Sequence, residues 1–244
     1  MDTALSTAAA GMEAQQAWMD ALSNDIANVS TTGYKSLRVG FRDLLYQSPG
    51  RGGAAGTATG AGAAAEVFGQ DFEPGPLELT ERPLDVALTG PGFIQVRAAG
   101  GGVALTRDGN LQVGPDGQLR TATGQALQPP VRIPRGVDPN DVSIAPDGTV
   151  SAGRRKLGQI PLVEVTNPNG LQADGEGGYL PTVASGPVRA ARGARVQQGA
   201  LEASNVDMAS VMTAMTEAQQ GYELAGKAVT TQDEVLAVAN GLIR

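Results

Sequence analysis

The chain has 244 residues, 41% hydrophobic and 18% charged, which suits one large or two small globular units, and with only 4% aromatic its core must draw on small aliphatics. It contains neither cysteine nor histidine, which removes disulfides, thiolate sites, the usual zinc ligands and the Ser-His and Cys-His nucleophile pairs behind most hydrolases. A net charge of −7 argues against a nucleic acid held by its phosphates, and no apolar run approaches the roughly 20 residues that a membrane helix needs.

All 15 prolines and 26 of the 34 glycines lie between Pro49 and Pro187, while the flanks 1–48 and 188–244 contain no proline. Proline inside a helix costs about 3 kcal/mol, so this partition predicts helical ends around a turn-rich middle. The expected fold is α+β: long N- and C-terminal helices pairing as a coiled-coil-like unit, with a central all-β domain of short antiparallel strands. The boundaries are 1–32 for the first helix, 33–75 for an extended connector, 76–190 for the β domain, 191–203 for a return connector and 204–244 for the last helix.

In chain order, Leu5, Ala8, Met12, Gln15, Met19, Leu22, Ile26 and Val29 step by threes and fours, the rhythm of a heptad seam. They predict a helix over 3–29 that ends in Ser30-Thr31-Thr32-Gly33, with Gly33 suited to a left-handed position. The first basic side chain is Lys35, so the N-terminus does not read as a cleavable signal peptide. Asn28-Val29-Ser30 matches a glycosylation acceptor but sits within the helical pattern. Leu37 to Tyr46 is a second, shorter apolar stretch. The Gly/Ala-rich segment 48–65 reads as a flexible linker, and it lacks the Gly-Lys-Ser/Thr ending of a phosphate loop.

From residue 67 onward the signals are strands. Leu77–Thr80, Leu84–Leu88, Phe93–Val96, Val103–Leu105 and Leu111–Val113 are the first, and Val142–Val150, Ile160–Val165 and Tyr179–Val183 follow. Asp-Gly pairs at 108–109, 116–117, 147–148 and 174–175 predict hairpin turns; Asp108 and Asp116 lack the alternating oxygens of a calcium loop. Val196 to Leu201 reads as a return strand. It delivers the chain to a second seam of Met208, Val211, Met215, Ala218, Tyr222, Ala225, Val229, Leu236, Ala239 and Ile243, with Gln232 filling one gap. Ser204, Asn205 and Asp207 before it are N-cap types.

Both seams are thin and rich in Ala and Met, and each buried methylene is worth only about 0.8 kcal/mol. Gly221 and Gly226 sit mid-helix, each costing about 1 kcal/mol unless a close neighbour requires them. Amides (Gln15, Gln16, Asn24, Asn28, Gln219, Gln220) stand where a coiled-coil dimer carries Glu/Lys pairs. Helices so built expect order from copies of themselves, and identical subunits joined heterologously form helical filaments when the rotation does not close.

Ser23 to Lys35, including Asn24, Asn28, Thr32, Gly33 and Lys35, resembles the N-terminal signature of the bacterial flagellar rod and hook proteins, and Phe41 to Gln47 continues the match. Leu84–Leu88 with Gly92–Val96, then Thr106–Gly109 and Asp116–Leu119, resemble that family's β signatures. Gln198 to Asp207 with Asn205, then Tyr222-Glu223, Lys227 and Thr231-Gln232-Asp233, resemble its C-terminal pattern. Departures are Asp25 where asparagine is usual, and Gln220, Ala225 and Gly226 where Arg and polar residues are common. The resemblance implies a structural subunit with no enzymatic activity, cofactor or metal. It would be exported by the flagellar type III apparatus without a cleavable signal peptide and would polymerise in the periplasm into a hollow, torque-transmitting shaft. Its partners would be copies of itself, proximal rod and hook proteins, and neighbouring ring proteins and peptidoglycan. The terminal helices would line the inner tube and the β domain would form the outer wall. Chain length and Asp43-Leu44-Leu45-Tyr46-Gln47 look most like the distal rod type, in which an extra segment stands where 48–65 does. The alternatives are a proximal rod subunit, or a non-polymerising module whose β loops bind peptidoglycan or a ring protein.

Overall fold

The computed structural model describes residues 2–44, 62–98 and 100–241. Within them the proline-free flanks supply both long helices, and the proline-rich middle supplies short strands and two single 3-10 turns, Pro139–Asp141 and Pro168–Gly170. Contacts divide the chain into one unit of Met1–Ala27, Leu37–Phe68 and Asp207–Arg244 and a second of Asn28–Ser36 and Gly69–Val206. The first is the helical unit and the second the β unit.

In the helical unit, α1 spans Asp2–Ala27 and α2 spans Met208–Gly241. Gly11 lies against Ala225 and Gln15 against Gly221, so the helices run antiparallel side by side. The sequence predicts a helix to 29, but α1 ends at Ala27 because Thr31 turns the chain. Its amide donates to the Asn28 carbonyl (3.0 Å) and its hydroxyl to Asn28 Oδ1 (3.2 Å). Strand β1 (Leu37–Asp43) pairs with β2 (Ala63–Gln70). Gly40 faces Phe68, Arg42 reaches Glu66 and the Leu44 amide donates to the Gly62 carbonyl, so this ribbon is antiparallel. The ribbon carries regular structure into the end of the expected 48–65 linker, where Ala63, Ala64 and Ala65 open β2. The remainder of that linker, to residue 61, lies outside the described residues.

The β unit continues with β3 (Leu77–Leu79), β4 (Val86–Thr89), β5 (Phe93–Arg97), β6 (Val103–Thr106), β7 (Leu111–Val113) and β8 (Leu119–Thr121). Next come β9 (Val142–Ile144), β10 (Thr149–Ala152), β11 (Arg155–Gln159), β12 (Leu162–Glu164), β13 (Gln172–Ala173) and β14 (Tyr179–Leu180). The last are β15 (Arg189–Ala190), β16 (Arg195–Gln198) and β17 (Ala200–Glu202). The largest sheet has the order β13-β14-β6-β5-β12-β15, β9 to β11 form a meander, and β16 and β17 return along β4 and β3. The strand pairings of the β unit among the described residues are antiparallel. Leu88, Ile94, Val96, Leu111, Leu119 and Val150 anchor one dry core, and Phe93, Leu105 and Tyr179 anchor a second.

Asp116-Gly117 and Asp147-Gly148 make the expected hairpin turns, with both glycines at positive φ (75° and 82°). Asp174-Gly175 opens a longer loop between β13 and β14. Asp108-Gly109 does not make the expected hairpin. It joins β6 to β7, which are not paired with each other, and Gly109 is required because a Cβ there would sit 1.6 Å from the Val86 carbonyl oxygen.

Candidate functional site

Two arrangements stand out, one in each unit. Along α1, Leu5, Met12, Met19 and Ile26 are half-buried and Leu22 is buried, as the seam predicts. Val29, half-buried, lies in the turn beyond the helix. Along α2, Met208, Met215, Tyr222 and Val229 are half-buried and Val211 is buried. Leu236 falls within α2, and Ile243 lies outside the described residues.

The sequence reading missed a second row on α1: Gly11, Ala14, Trp18, Ala21 and Asp25 follow the same three-four spacing and are turned inward. Trp18 meets Phe41 edge-on at 5.5 Å, and Asp25 Oδ1 accepts the Leu37 amide at 3.1 Å. Counting both rows, rather than the more hydrophobic one, would have exposed this wider face. Gly221 is crowded as expected, since a Cβ there would come 2.8 Å from Gln15. Gly226 is not; nothing lies within 4 Å of its would-be Cβ, so close packing within this chain does not explain it.

Even so, this unit is thinly packed. Its buried apolar side chains among the described residues are Ala14, Ala21, Leu22, Val211 and Ala218. Met212, Leu224, Val235 and Val238 are more than half exposed on α2. At 100° per residue the last three fall within about 60° of one another, on the side away from Val211, Ala218 and Val229. An open cleft of about 460 Å³ runs along α1 beside Tyr222, lined by Ala9, Met12, Gln16 and Asp20.

The second arrangement is a buried charge junction in the β unit. Glu202 at the end of β17 is fully buried and accepts from Lys35 Nζ at 2.6 Å and twice from Arg107 Nη1 at 2.9 Å. The Gly75 amide adds a bond to Oε1 at 3.0 Å. Lys35 also donates to the Glu73 carbonyl, and Arg107 to the Gly90 carbonyl while lying over the Phe93 ring at 5.7 Å. Burial pulls the Lys35 pKa below its ordinary value, and the hydrogen bond and charge of Glu202 oppose that shift. Burial also raises the neighbouring Tyr179 phenol well above its usual range.

Gly33, at φ +68°, donates its amide to the Glu202 carbonyl at 2.8 Å, and a Cβ there would collide with the Arg107 carbonyl. Asn205 accepts the Ser36 amide and donates to the Asp71 carbonyl. Gly33, Lys35 and Asn205 are thus brought together, along with Arg107 and Glu202, which stand in the quoted motifs but were not picked as site residues. Asn24 lies on the exposed side of α1, and Asn28 and Thr32 are half-buried in the turn. Chemically the junction is a lock. Its charges are buried and mutually bonded, and among the described residues no cluster of three or more His, Cys, Asp or Glu could hold a metal.

Three family descriptions match in chain order. They are "Flagella basal body rod protein" over residues 5–35, "Flagellar hook protein FlgE/F/G D1 domain" over 87–152 and "Flagellar basal body rod FlgEFG protein C-terminal" over 197–242. The chain is 36% identical to the flagellar basal-body rod protein FlgG of Borreliella burgdorferi, covering 100% of both chains. It is 36% identical to FlgG of Caulobacter vibrioides, covering 98% of each. It is also 33% identical to the flagellar basal-body rod protein FlgF of Salmonella typhimurium, covering 100% of this chain and 99% of that one.

Proposed function

The chain belongs to the flagellar basal-body rod family, and we propose that it is a distal rod subunit that self-assembles into a hollow helical drive shaft carrying torque from motor to hook. The observation that carries the assembly reading is the helical unit. Its two helices bury little more than alanines against each other, yet present a second apolar stripe of Leu224, Val235 and Val238 to the outside. Helices of this kind gain their order from neighbours, and heterologous contacts between identical subunits grow into filaments. In this reading residues 1–32 and 204–244 pair as a coiled-coil-like inner tube, and the β domain of 76–190 forms the outer wall. The chain reaches the periplasm through the type III apparatus and meets proximal rod and hook proteins at its ends, with ring proteins and peptidoglycan alongside. No helix among the described residues is long and apolar enough to cross a membrane.

A proximal rod role is the second reading, favoured by the full-length match to FlgF. Electron microscopy of the concentrated purified chain tests the proposal. Filaments or tubes are expected, and compact monomers at every concentration would overturn it.

A further inference from the structure

The chain is acidic overall, yet four cations gather in one cleft of the β unit. Arg132, Arg135, Arg155 and Lys156 line an open cleft of about 390 Å³ whose floor is Ile133, Pro134 and Leu157. All four are exposed, and none forms an ion pair among the described residues. The one acid in the cleft, Asp116, is already bound to Arg120 Nη2 at 2.8 Å, which holds its carboxyl below the usual range. The charge of Lys156 acts on Asp147, but the three arginines have no acid paired with them among the described residues, and such a cluster favours an anionic occupant.

The complementary surface lies on the same unit. Strand β3 pairs only with β17, leaving its other edge without a strand neighbour among the described residues. Leu77, Glu78 and Leu79 are all exposed, Leu79 to 76%, and Glu81 follows them, also exposed. An exposed apolar edge strand is a site for another chain, and soluble proteins ordinarily shield such strands. Glu78 and Glu81 form no ion pair among the described residues.

We propose that the cleft of Arg132, Arg135, Arg155 and Lys156 receives the acidic, leucine-bearing β3 edge of a second copy of this chain, forming a directional contact between β units. Side chains alternate along β3, so with its edge set into the cleft Glu78 reaches cations on one side while Leu79 lies toward Pro134 and Leu157 on the other, and Glu81 follows at the strand's end. Where cleft and strand edge engage two different neighbours the contact is heterologous, and with a rotation that does not close it propagates along a filament. The inference rests on the polymer reading above and assigns residues to one of its contacts.

The test is a charge swap in the full chain. Arg132→Glu/Arg155→Glu reverses the cleft, and Glu78→Lys/Glu81→Lys reverses the strand. Each set is expected to raise the concentration needed for polymer at least tenfold, with the melting of the β unit little changed because all four side chains are exposed. Combining both sets in one chain, or mixing the two variants in equal amounts, is expected to restore assembly. Wild-type assembly is expected to weaken as salt is raised, since exposed ion pairs are screened.

A wild type that polymerises while the reversed cleft polymerises equally well overturns this contact and leaves the rod reading standing. Loss on reversing the cleft without recovery in the swap overturns the assignment of β3 as its occupant. A wild type that stays monomeric overturns both.

Discussion

The helical unit and the β unit are cut from the same small-residue composition and solve opposite problems. The β unit closes on itself: Val86, Ile94, Val96, Leu105, Leu111 and Leu119 have no exposed surface at all. The helical unit has only Leu22 and Val211 as buried apolar side chains larger than alanine among the described residues. One part therefore has a finished core whatever its edges bind, and the other leaves much of its apolar surface to be covered from outside its own chain. The difference shows that the heptad rhythm measures which side of a helix is apolar, not whether that side is satisfied within its own chain.

The largest expected effect lies in the finished part. Glu202→Gln removes the carboxylate that Lys35 and Arg107 share and leaves two cations buried. Breaking one partner of a buried ion pair costs about 3–5 kcal/mol, so the unfolding free energy of the β unit, from urea titration followed by its amide resonances, should fall by that much. A loss below about 1 kcal/mol would mean that water reaches the junction, and the contrast between the units would weaken.

Next in size is a matched truncation. Leu119→Ala, in the β core, should cost about 2–5 kcal/mol in the monomer. Leu22→Ala, though also buried, sits among neighbours that leave much of α1 and α2 uncovered. Its monomer cost should stay at about 2 kcal/mol, the transfer of the three lost carbons with little added cavity. Its main effect should be a higher concentration threshold for polymer, read by sedimentation. Equal monomer losses at the two sites would show that the helical unit is as complete as the β unit.

Much of this division was legible beforehand, for a physical reason. Proline is excluded from helix interiors, so its confinement to Pro49–Pro187 marked both helices, and Asp-Gly at 116–117 and 147–148 marked two hairpins. What sequence could not supply was the meeting of distant parts. Lys35, Arg107 and Glu202 each look like an ordinary surface charge, and only the return of β17 beside the turn at Gly33 buries them together. Asp108-Gly109 failed as a hairpin for the same reason: its glycine answers to the Val86 carbonyl, more than twenty residues away. The wider face of α1 was missed because Gly11, Ala14 and Asp25 carry too little hydrophobicity to stand out.

The smallest expected effect sits where the chain leaves one unit for the other. Asp207 caps α2, accepting the Ala209 and Ser210 amides and the Ser210 hydroxyl, while Ser204 and Asn205 are engaged elsewhere. The Ser210 hydroxyl, followed by the Ala209 amide, holds the Asp207 carboxyl below its ordinary value of 3.8. A depressed folded-state pKa contributes stability that is fully present above the ordinary carboxylate range and is lost as pH falls through the lowered value. Because Asp207 is exposed, salt and solvent keep the contribution small. In Asp207→Ala, α2 should fray from its first turn at neutral pH, with faster amide exchange at 209–211 and no change in the β unit. Acidifying the wild type through that window should produce the same local fraying, and acidifying the variant should add none. A fall in the stability of the β unit on capping loss would break the comparison, because it would make the helix start part of the finished domain instead of the unfinished one.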